Sequence, residues 1–398
     1  MQVKQLYLSL TLFFLAIVFS SSMSAQWQKL DSGTSLWLRG VDFINPTDGL
    51  VVGYDGTILH TLDGGDSWVF RTSGTALDLL GVFYADAQTV YVTGALGIVL
   101  KSVDSGVTWS IVKEGGAVTH ECFFLNADLG YLAGEGGQVF KTINGGLTWE
   151  RLPVGIAGKV AVHFVNEDIG FFVGLGEEDA ILKTSNGGFN FQSLNPFGFE
   201  EFSSVYFTSA IDGYVLSIGS QRIIKTQDGG MNWFDVLPNS GAKLYDITFA
   251  NDDFGQAVGG FPSQSIILRT EDAGESWIQE NTGIADPLFD SKMISRDFGF
   301  AVGMNGAILR RGNIPTIVNS FPEDKLKVFP NPAQGRIYFQ ADSTEDITYA
   351  IYDLHGKKLL NGNFSQQLEL SIEKLQSGAY FIKFTDNDYA STIRFQKM

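Results

Sequence analysis

Short apolar runs separated by glycine-rich turns recur along the chain from Trp27 to about residue 312. In the first unit, GVDFI alternates apolar and polar positions, and LVVG, TILHT and SWVFRT follow after the turns NPTDG, YDG and LDGGD. Alternation with a period of two predicts half-buried β-strands, and the closely spaced turns predict antiparallel hairpins. The pattern of one unit therefore predicts four antiparallel strands.

A short box closes the third strand of six such units. Its pattern is Ser or Thr, any residue, Asp or Asn, any residue, Gly, two residues of any kind and an aromatic, as in TINGGLTW. The acid or amide and the aromatic of the six boxes are Asp63 and Trp68, Asp104 and Trp109, Asn144 and Trp149, Asn186 and Phe191, Asp228 and Trp233, and Asp272 and Trp277. The aromatics are separated by 41, 40, 42, 42 and 44 residues. Repeats of about 40–45 residues with short strands are typical of β-propellers.

A seventh unit, DSKMISRDFGFAVGMNGAILRRG, ends after three strands and has no box. The missing strand is found at the other end of the repeat region, because WQKLDSGT from Trp27 matches WVFRTSGT from Trp68. We therefore predict an all-β fold in which residues 26–312 form a seven-bladed β-propeller closed by the N-terminal strand. Closure removes the sheet edges that an open array would expose.

The residue types in the boxes favour a structural role. An Asp or Asn side chain can accept hydrogen bonds from the backbone of its own turn, the glycine permits a positive φ, and the Ser or Thr hydroxyl can tie the turn to its flanks. Aligned glycines also follow the first turn of the units, where we expect tight turns in which a side chain would clash: Gly49, Gly130, Gly170, Gly213, Gly255 and Gly299.

The boxes resemble the bacterial neuraminidase repeat, or Asp-box. The ring of about 42-residue units resembles the propellers of the photosystem II assembly and stability factors, over residues 26 to about 312. The resemblance is specific for the fold and weak for activity. It implies polypeptide partners bound through a basic surface patch, and this acidic chain departs from that pattern.

The repeat is gone after the linker at residues 313–325. Residues 326–398 contain six or seven short strands with Gly and Asn turns, which predict a small C-terminal β-sandwich. This stretch resembles the type A C-terminal sorting domain of the type IX secretion system of Bacteroidetes. The matching residues include Pro330, Asn331, Pro332, Gly335, Gly356, Gly378, Tyr380 and Lys397. The resemblance implies that the type IX secretion machinery carries the chain across the outer membrane, to the cell surface or the medium.

Residues 1–25 have the layout of a secretory signal peptide: Lys4, the apolar run LYLSLTLFFLAIVF and the small residues SSSMSA. We expect export to the periplasm and no transmembrane segment in the mature protein, because this run is shorter than the roughly 20 residues of a membrane span. Removal of the peptide takes away Lys4 and no acid, so the formal charge becomes 26 − 44 = −18. Such a charge argues against nucleic acid as a partner.

No catalytic motif of the HExxH or GxSxG type occurs in the chain. Three histidines, His60, His120 and His163, fall in different repeats, and we interpret them as strand or loop residues and expect no metal and no cofactor. A sialidase needs several arginines that converge on a carboxylate, whereas Arg39 is the only propeller arginine that begins an inner strand. A glycosidase with two carboxylates stays open as an alternative.

The face opposite the boxes carries the loops between second and third strands and the links between units. Two of these loops are long, LGEEDA and GFPSQS, and the link NPFGFEEF lies beside the first. We predict a patch there that binds a cation, a sugar ring or a basic peptide, and a solvated acidic loop is the alternative. The predicted patch comprises Glu177, Glu178, Asp179, Phe197, Phe199 and Phe261.

The sequence as a whole predicts an exported, non-catalytic propeller that binds an unknown surface protein or glycan or acts as a scaffold. The alternative in a different class is a secreted glycan-active hydrolase, which requires two carboxylates facing each other across a cleft. A second alternative is a structural component of the cell surface that self-associates and binds no ligand.

Overall fold

A computed structural model describes residues 27–154, 157–176, 180–237, 239–313, 326–341, 347–352, 358–385 and 390–398. The predicted signal peptide and residues 314–325 of the predicted linker lie outside the described residues. The described part of the chain is almost entirely β-strand, with one-turn 3₁₀ helices at Ala95–Gly97, Glu135–Gly137 and Met304–Gly306. Within these ranges, no helix is long and apolar enough to cross a bilayer.

After β1 (Trp27–Leu30), consecutive strands pair antiparallel in groups of four. The first sheet contains β2 (Leu38–Phe43), β3 (Gly49–Gly53), β4 (Ile58–Thr61) and β5 (Val69–Phe70). The second contains β6 (Leu79–Tyr84), β7 (Val90–Gly94), β8 (Val99–Ser102) and β9 (Ser110–Lys113). The third contains β10 (Thr119–Phe124), β11 (Gly130–Gly134), β12 (Gln138–Thr142) and β13 (Glu150–Arg151).

The next two groups are joined into one sheet, because the ends of β15 and β18 pair at Leu175–Glu201 and Gly176–Glu200. The fourth group contains β14 (Ala157–Phe164), β15 (Ile169–Gly176), β16 (Ile181–Ser185) and β17 (Gln192–Ser193). The fifth contains β18 (Glu200–Phe207), β19 (Gly213–Ser217), β20 (Arg222–Thr226) and β21 (Phe234–Leu237). The sixth contains β22 (Leu244–Phe249), β23 (Gly255–Phe261), β24 (Gln264–Thr270) and β25 (Ile278–Glu280).

The N-terminal strand belongs to the last group of the repeat region. The seventh sheet has the order β1-β28-β27-β26, where the later strands are β26 (Leu288–Ser295), β27 (Phe298–Gly303) and β28 (Ile308–Arg311). Trp27 lies opposite Arg311 and Leu30 opposite Ile308. The Trp27 indole N–H also donates to Glu280 Oε2 of the sixth sheet at 2.8 Å. The strand nearest the N-terminus therefore supplies the outer strand that the seventh unit lacks in sequence.

Adjacent sheets pack through pairs of stacked aromatic rings, each joining an inner strand to the second strand of its neighbour. Phe43 lies on Phe300 with ring centroids 3.9 Å apart, so the first and seventh sheets are in contact. Four further pairs repeat this arrangement between neighbouring sheets from the second to the sixth: Tyr91 with Phe124, Tyr131 with Phe164, Phe171 with Phe207, and Tyr214 with Phe249. Stacked rings bury a large apolar area, and the pair geometry adds about 0.5–1.5 kcal/mol beyond that burial.

The same rings explain five of the six glycines predicted to follow the first turn, whereas a Cβ atom at Gly299 would lie 2.7 Å from the carbonyl oxygen of Lys292. Gly49 begins β3, and a Cβ atom there would lie 2.3 Å from the ring of Phe43. The equivalent glycines meet the equivalent rings at similar distances: Gly130, Gly170, Gly213 and Gly255. A clash is therefore present as predicted, but it comes from an aromatic ring lying flat on a strand and not from the geometry of a tight turn.

The C-terminal region forms two sheets around one apolar core. The first contains β29 (Leu326–Phe329), β30 (Arg336–Ala341) and β33 (Gln367–Ser371). The second contains β31 (Ile347–Tyr352), β32 (Lys358–Phe364), β34 (Gly378–Thr385) and β35 (Ala390–Lys397). Phe339 of the first sheet packs edge-to-face on Phe384 of the second, with centroids 4.9 Å apart, so the two sheets form a small sandwich.

Candidate functional site: the central cavity and its rim

The boxes form closed, self-bonded turns. In the first box, the backbone N–H of Ser67 donates to Asp63 Oδ1 at 2.8 Å, and the N–H of Gly65 donates to the Thr61 hydroxyl at 2.8 Å. The same two bonds recur at Asp104, Asn144, Asn186, Asp228 and Asp272. Side-chain and backbone donors hold the pKa of Asp104 at about 2. The carboxylate and amide oxygens of the boxes accept hydrogen bonds from their own turns, which leaves the boxes little capacity for a ligand.

The box aromatics point into the sheets. Trp68 meets Phe43 edge-on at 6.2 Å. Four others meet the corresponding inner-strand or second-strand ring in the same way: Trp149, Phe191, Trp233 and Trp277. Trp109 donates its indole N–H to the carbonyl of Gly106 at 3.1 Å.

The residues predicted to mark the sorting domain cluster around the last strand. Asn331 Oδ1 accepts from the backbone N–H of Gln396 at 2.9 Å, and Ala333, just after Pro332, bridges to Lys397. The Tyr380 ring stacks on Phe395 at 5.4 Å, and Gly378 pairs with Lys397. Gly356 lies outside the described residues.

The predicted loop patch is assembled only in part. Glu177, Glu178 and Asp179 lie outside the described residues. Phe197 is half-buried beneath the Arg222 guanidinium, whose Cζ lies 4.4 Å from the ring centroid, and Phe261 packs on the core of the sixth sheet. Phe199 is 66% exposed. Of the three phenylalanines, Phe199 is therefore the most exposed, and the other two are partly covered.

The structure reveals a different candidate, a cavity of about 420 Å³ bordered by the inner strands of the sheets. These strands carry ionisable residues at positions that face the cavity: Asp42, Glu121, His163, Asp246, Asp290 and Lys292. The neighbouring positions carry the apolar residues that pack between sheets. Alternation along a strand thus sends one set of side chains into the core and the other to the cavity.

The cavity carboxyl groups bridge neighbouring sheets. Asp290 Oδ2 accepts from the backbone N–H of Val41 at 2.7 Å, and Asp246 Oδ2 accepts from the N–H and hydroxyl of Ser291 at 3.1 and 2.9 Å. Glu121 Oε2 accepts from the N–H of Val162 at 3.2 Å. Each carboxyl group therefore satisfies a backbone donor that the four-stranded pairing leaves free.

Burial in the cavity raises the pKa of carboxyl groups and lowers the pKa of a histidine. Burial, followed by the charge of Asp246, raises the pKa of Glu121 to about 8. Burial also raises the pKa of Asp246, and it raises that of Asp290 together with the charge of Asp246. Burial lowers the pKa of His163 to about 4.

The cavity also holds an ion pair. Lys292 Nζ lies 2.7 Å from Asp42 Oδ1. The Lys292 side chain lines the cavity and is 35% exposed to solvent. Burial alone would lower the pKa of Lys292, but the charge and the hydrogen bond of Asp42 outweigh it, so the pKa is raised. At neutral pH the cavity therefore contains a protonated Glu121 beside the Lys292–Asp42 ion pair.

At the face opposite the boxes, five residues form what we call the rim cluster: Trp37, Arg39, Tyr54, Tyr245 and Phe289. Trp37 precedes β2 and stacks on Tyr54 at 5.3 Å, and its ring is 5.6 Å from Phe289. Tyr245 meets Phe289 edge-on at 5.4 Å. Arg39 Cζ lies 4.2 Å from the centroid of Phe289. The rim cluster joins the first, sixth and seventh sheets at the edge of the cavity.

Arg39 is the charged member of the rim cluster. No described carboxylate forms an ion pair with it, and its buried Nε has no hydrogen-bond partner. Burial lowers the pKa of Arg39 from its ordinary value, and the surroundings that oppose this shift are Tyr54, Asp290 and Tyr245. The guanidinium nevertheless stays charged at neutral pH.

Sequence reasoning missed the cavity because it treated the charged residues of different repeats as unrelated. The ring brings His120 and His163 to one cavity, whereas His60 is buried and its Nε2 lies 2.9 Å from Asp48. No group of three or more potential ligands within the described residues could hold a metal ion. An alignment of the inner strands would have revealed the signal, since Asp42, His163 and Lys292 occupy one repeat position.

Two family models match the chain. "Secretion system C-terminal sorting domain" matches residues 327–397, and "Photosynthesis system II assembly factor YCF48" matches residues 19–121. No curated protein matches the chain. Both predicted resemblances are therefore confirmed, and the sorting domain marks the chain for type IX secretion to the cell surface or the extracellular space.

Solved structures confirm the all-β, propeller-like class. YCF48 bound to a D1 peptide has a TM-score of 0.60 and 20% identity, and the match covers 72% of this chain and 97% of that one. YCF48 from Cyanidioschyzon merolae gives 0.60 and 19%, with 72% and 99% covered. The GH74 enzyme from Niastella koreensis gives 0.58 and 12%, with 93% and 67% covered. At these identities the likeness concerns the fold, and the neighbours include an enzyme.

Proposed function

We propose that this protein is an exported, non-catalytic propeller that recognises a protein or glycan at the cell surface through the rim cluster. The observation that carries the proposal is the rim cluster itself, where Arg39, Tyr245 and Phe289 line a cavity of about 420 Å³ and the rings of Trp37 and Tyr54 pack beside them. Aromatic residues and arginine are the side chains that dominate recognition surfaces. The sorting domain directs the export of the propeller to the cell surface or the extracellular space.

The location of the rim cluster also supports a binding role. It lies on the face that carries the links and the loops between second and third strands, where sequence analysis predicts recognition. The structure of YCF48 bound to a D1 peptide supports the idea that a propeller of this type can hold a polypeptide. The patch around Phe199 lies on the same face and remains a prediction.

A glycan-active hydrolase is the second candidate, and one observation favours it. Glu121 shares a cavity with Asp246 and Asp290, and its raised pKa suits a general acid. The hydrogen bonds favour a structural role instead, because each of these three carboxyl groups accepts a backbone N–H from the neighbouring sheet. A hydrolase would need two carboxyl groups free to face the scissile bond.

The proposal is tested by screening the purified full chain against arrays of glycans and of outer-membrane-protein peptides. Trp37→Ala and Tyr54→Ala should weaken selective binding about tenfold or more, because they remove stacked rim rings. Phe199→Ala distinguishes the rim cluster from the predicted patch around Phe199. If only Phe199→Ala loses binding, the ligand is recognised by that patch. Self-association without any ligand would favour the surface-component alternative, and release of reducing sugar that is lost in Glu121→Gln would favour the hydrolase.

A further inference from the structure

We infer that the rim cluster takes a carboxylated sugar, a hexuronate unit of a glycan, with Arg39 as the anchor for its carboxylate. This inference rests on the proposed function and names the ligand class for the same site. It is carried by a charged, half-buried guanidinium without an acidic partner, placed between aromatic rings at the edge of a cavity.

Among the described residues, most other arginines of the repeat region pair with a carboxylate, and Arg39 does not. Five of them form ion pairs with carboxylates: Arg222, Arg269, Arg296, Arg310 and Arg311. Arg311 is 1% exposed and Arg310 is 6% exposed, so burial of a guanidinium in this protein is accompanied by pairing. Removing a charge from water without a partner costs free energy, and a bound anion would recover part of that cost.

The nearest acid does not pair with Arg39. Asp290 is close enough to influence the pKa of Arg39, but its carboxyl group accepts the backbone N–H of Val41 and forms no ion pair with the guanidinium, and burial raises its own pKa. The positive charge is therefore available to a ligand. A guanidinium binds a carboxylate through two parallel hydrogen bonds, which selects a planar anion.

The surroundings of Arg39 suit a sugar ring. Tyr245 and Trp37, which flank the buried Phe289, offer aromatic surface on which the apolar side of a pyranose can pack. The carboxyl groups of Asp290, Asp246 and Glu121 line the cavity below, and carboxyl oxygens accept hydrogen bonds from sugar hydroxyls. A cavity of about 420 Å³ is within the usual size of small-ligand sites, roughly 300–1,000 Å³.

The overall charge does not prevent this contact. The formal charge of −17 repels an anion at long range, but at physiological ionic strength exposed charges are largely screened beyond about 8 Å. Selectivity is then decided by the pairing at Arg39. A neutral hexose would keep the stacking and lose the ion pair, so the hexuronate should be preferred.

The test is calorimetric titration of the full chain with trigalacturonate, D-galacturonate and D-galactose. Trigalacturonate and galacturonate should bind, and galactose should bind at least about tenfold more weakly, since a hydrogen bond to a charged group is worth more than a neutral one. Arg39→Gln should lower trigalacturonate affinity on the order of tenfold to a hundredfold. Arg39→Lys should keep part of the affinity, because it retains the charge but lacks the planar fork.

Arg296→Gln is the matched control, because Arg296 is 52% exposed and pairs with Glu271 beside the sixth box. It should leave trigalacturonate binding unchanged. Equal affinity for galactose and galacturonate, an unchanged Arg39→Gln variant, or no uronate binding by the wild-type chain would overturn the inference. Preference for a peptide with a free C-terminal carboxylate over its amide would overturn the sugar assignment as well. In each case, an array ligand that binds the wild-type chain and is lost in Trp37→Ala would still support the proposed function.

Discussion

The backbone N–H of Val41 donates to Asp290 Oδ2 at 2.7 Å, although 249 positions separate the two residues. The bond joins the inner strand of the first sheet to that of the seventh. Asp246 makes the corresponding bond to Ser291 between the sixth and seventh sheets. The acidic groups of the cavity therefore connect sheets that no backbone strand pairing joins, and they lie close to the proposed ligand site.

Replacing Asp290 should weaken the joint between the first and last sheets. Asp290→Ala leaves the buried N–H of Val41 without an acceptor, which we expect to cost about 1–3 kcal/mol of unfolding free energy. Asp290→Asn keeps an acceptor and should cost less. Tryptophan fluorescence during urea unfolding measures both effects, and it reports on the repeat region alone, because all seven tryptophans lie between Trp27 and Trp277. Equal losses in the two variants would contradict the role given to this bond.

The high pKa of Glu121 predicts that the protein loses stability as the pH rises. The folded state holds the proton up to a pKa of about 8, whereas an unperturbed glutamate carboxyl group has a pKa of 4.5. The stability linked to this proton is thus fully present below pH 4.5 and is lost as the pH rises through 8. Glu121→Gln cannot ionise, so we expect it to exceed the wild type at pH 8.5 by up to roughly 5 kcal/mol.

The control for Glu121→Gln is the same comparison at pH 5, where the wild-type carboxyl group is protonated. There the two proteins should unfold at similar urea concentrations. A constant stability difference across the whole pH range would show that Glu121 does not titrate in this window. It would contradict the raised pKa of this carboxyl group.

His163 predicts the opposite slope at acidic pH. Burial lowers its pKa to about 4 from 6.5, so its contribution to stability is present above pH 6.5 and is lost as the pH falls through 4. His163→Gln removes the titration, and its stability should fall less between pH 6.5 and 4, by up to roughly 3 kcal/mol. Thermal unfolding followed at several pH values gives the slope for both proteins. An identical acid slope in the variant would refute the assignment.

Gly49 should not tolerate a side chain. A Cβ atom would lie 2.3 Å from the ring of Phe43, which itself is stacked on Phe300, so Gly49→Ala should cost about 1–3 kcal/mol by overpacking. Gly219→Ala is the matched control, because no heavy atom lies within 4 Å of a Cβ atom at that position. Urea midpoints measured by tryptophan fluorescence separate the two variants. A Gly219→Ala loss as large as that of Gly49→Ala would point to backbone flexibility as the cause.

Much of the fold follows from local patterns in the sequence. The 41-residue step from Trp68 to Trp109 and the match of Trp27 to Trp68 indicate both the repeat and the strand that β1 contributes to the seventh sheet. These features are local or periodic, and a single chain displays them directly. The sorting domain is equally visible, because its turn residues occur at fixed spacings.

The candidate site is less visible because it depends on distant side chains. Arg39, Tyr245 and Phe289 come together when the first, sixth and seventh sheets meet. They occupy one position of the repeat, so an alignment of the inner strands would have indicated that they lie at one level, but it could not show which of them make contact. Exposure is also decided by tertiary packing: Phe197 is covered by Arg222, whereas Phe199, two residues on, is exposed. Sequence analysis placed the elaborated loops on the face that carries the rim cluster, but it could not identify which aromatic rings border a cavity.

The central claim is that the protein binds its ligand through the rim cluster and not through the box face. The most direct measurement compares the affinity of the strongest array ligand for Trp37→Ala and for Phe189→Ala, an aromatic truncation in the fourth box where the ring is 76% exposed. We predict a loss of about tenfold or more for Trp37→Ala and an unchanged affinity for Phe189→Ala. Loss of binding in Phe189→Ala with full binding in Trp37→Ala would contradict the claim and move recognition to the opposite face.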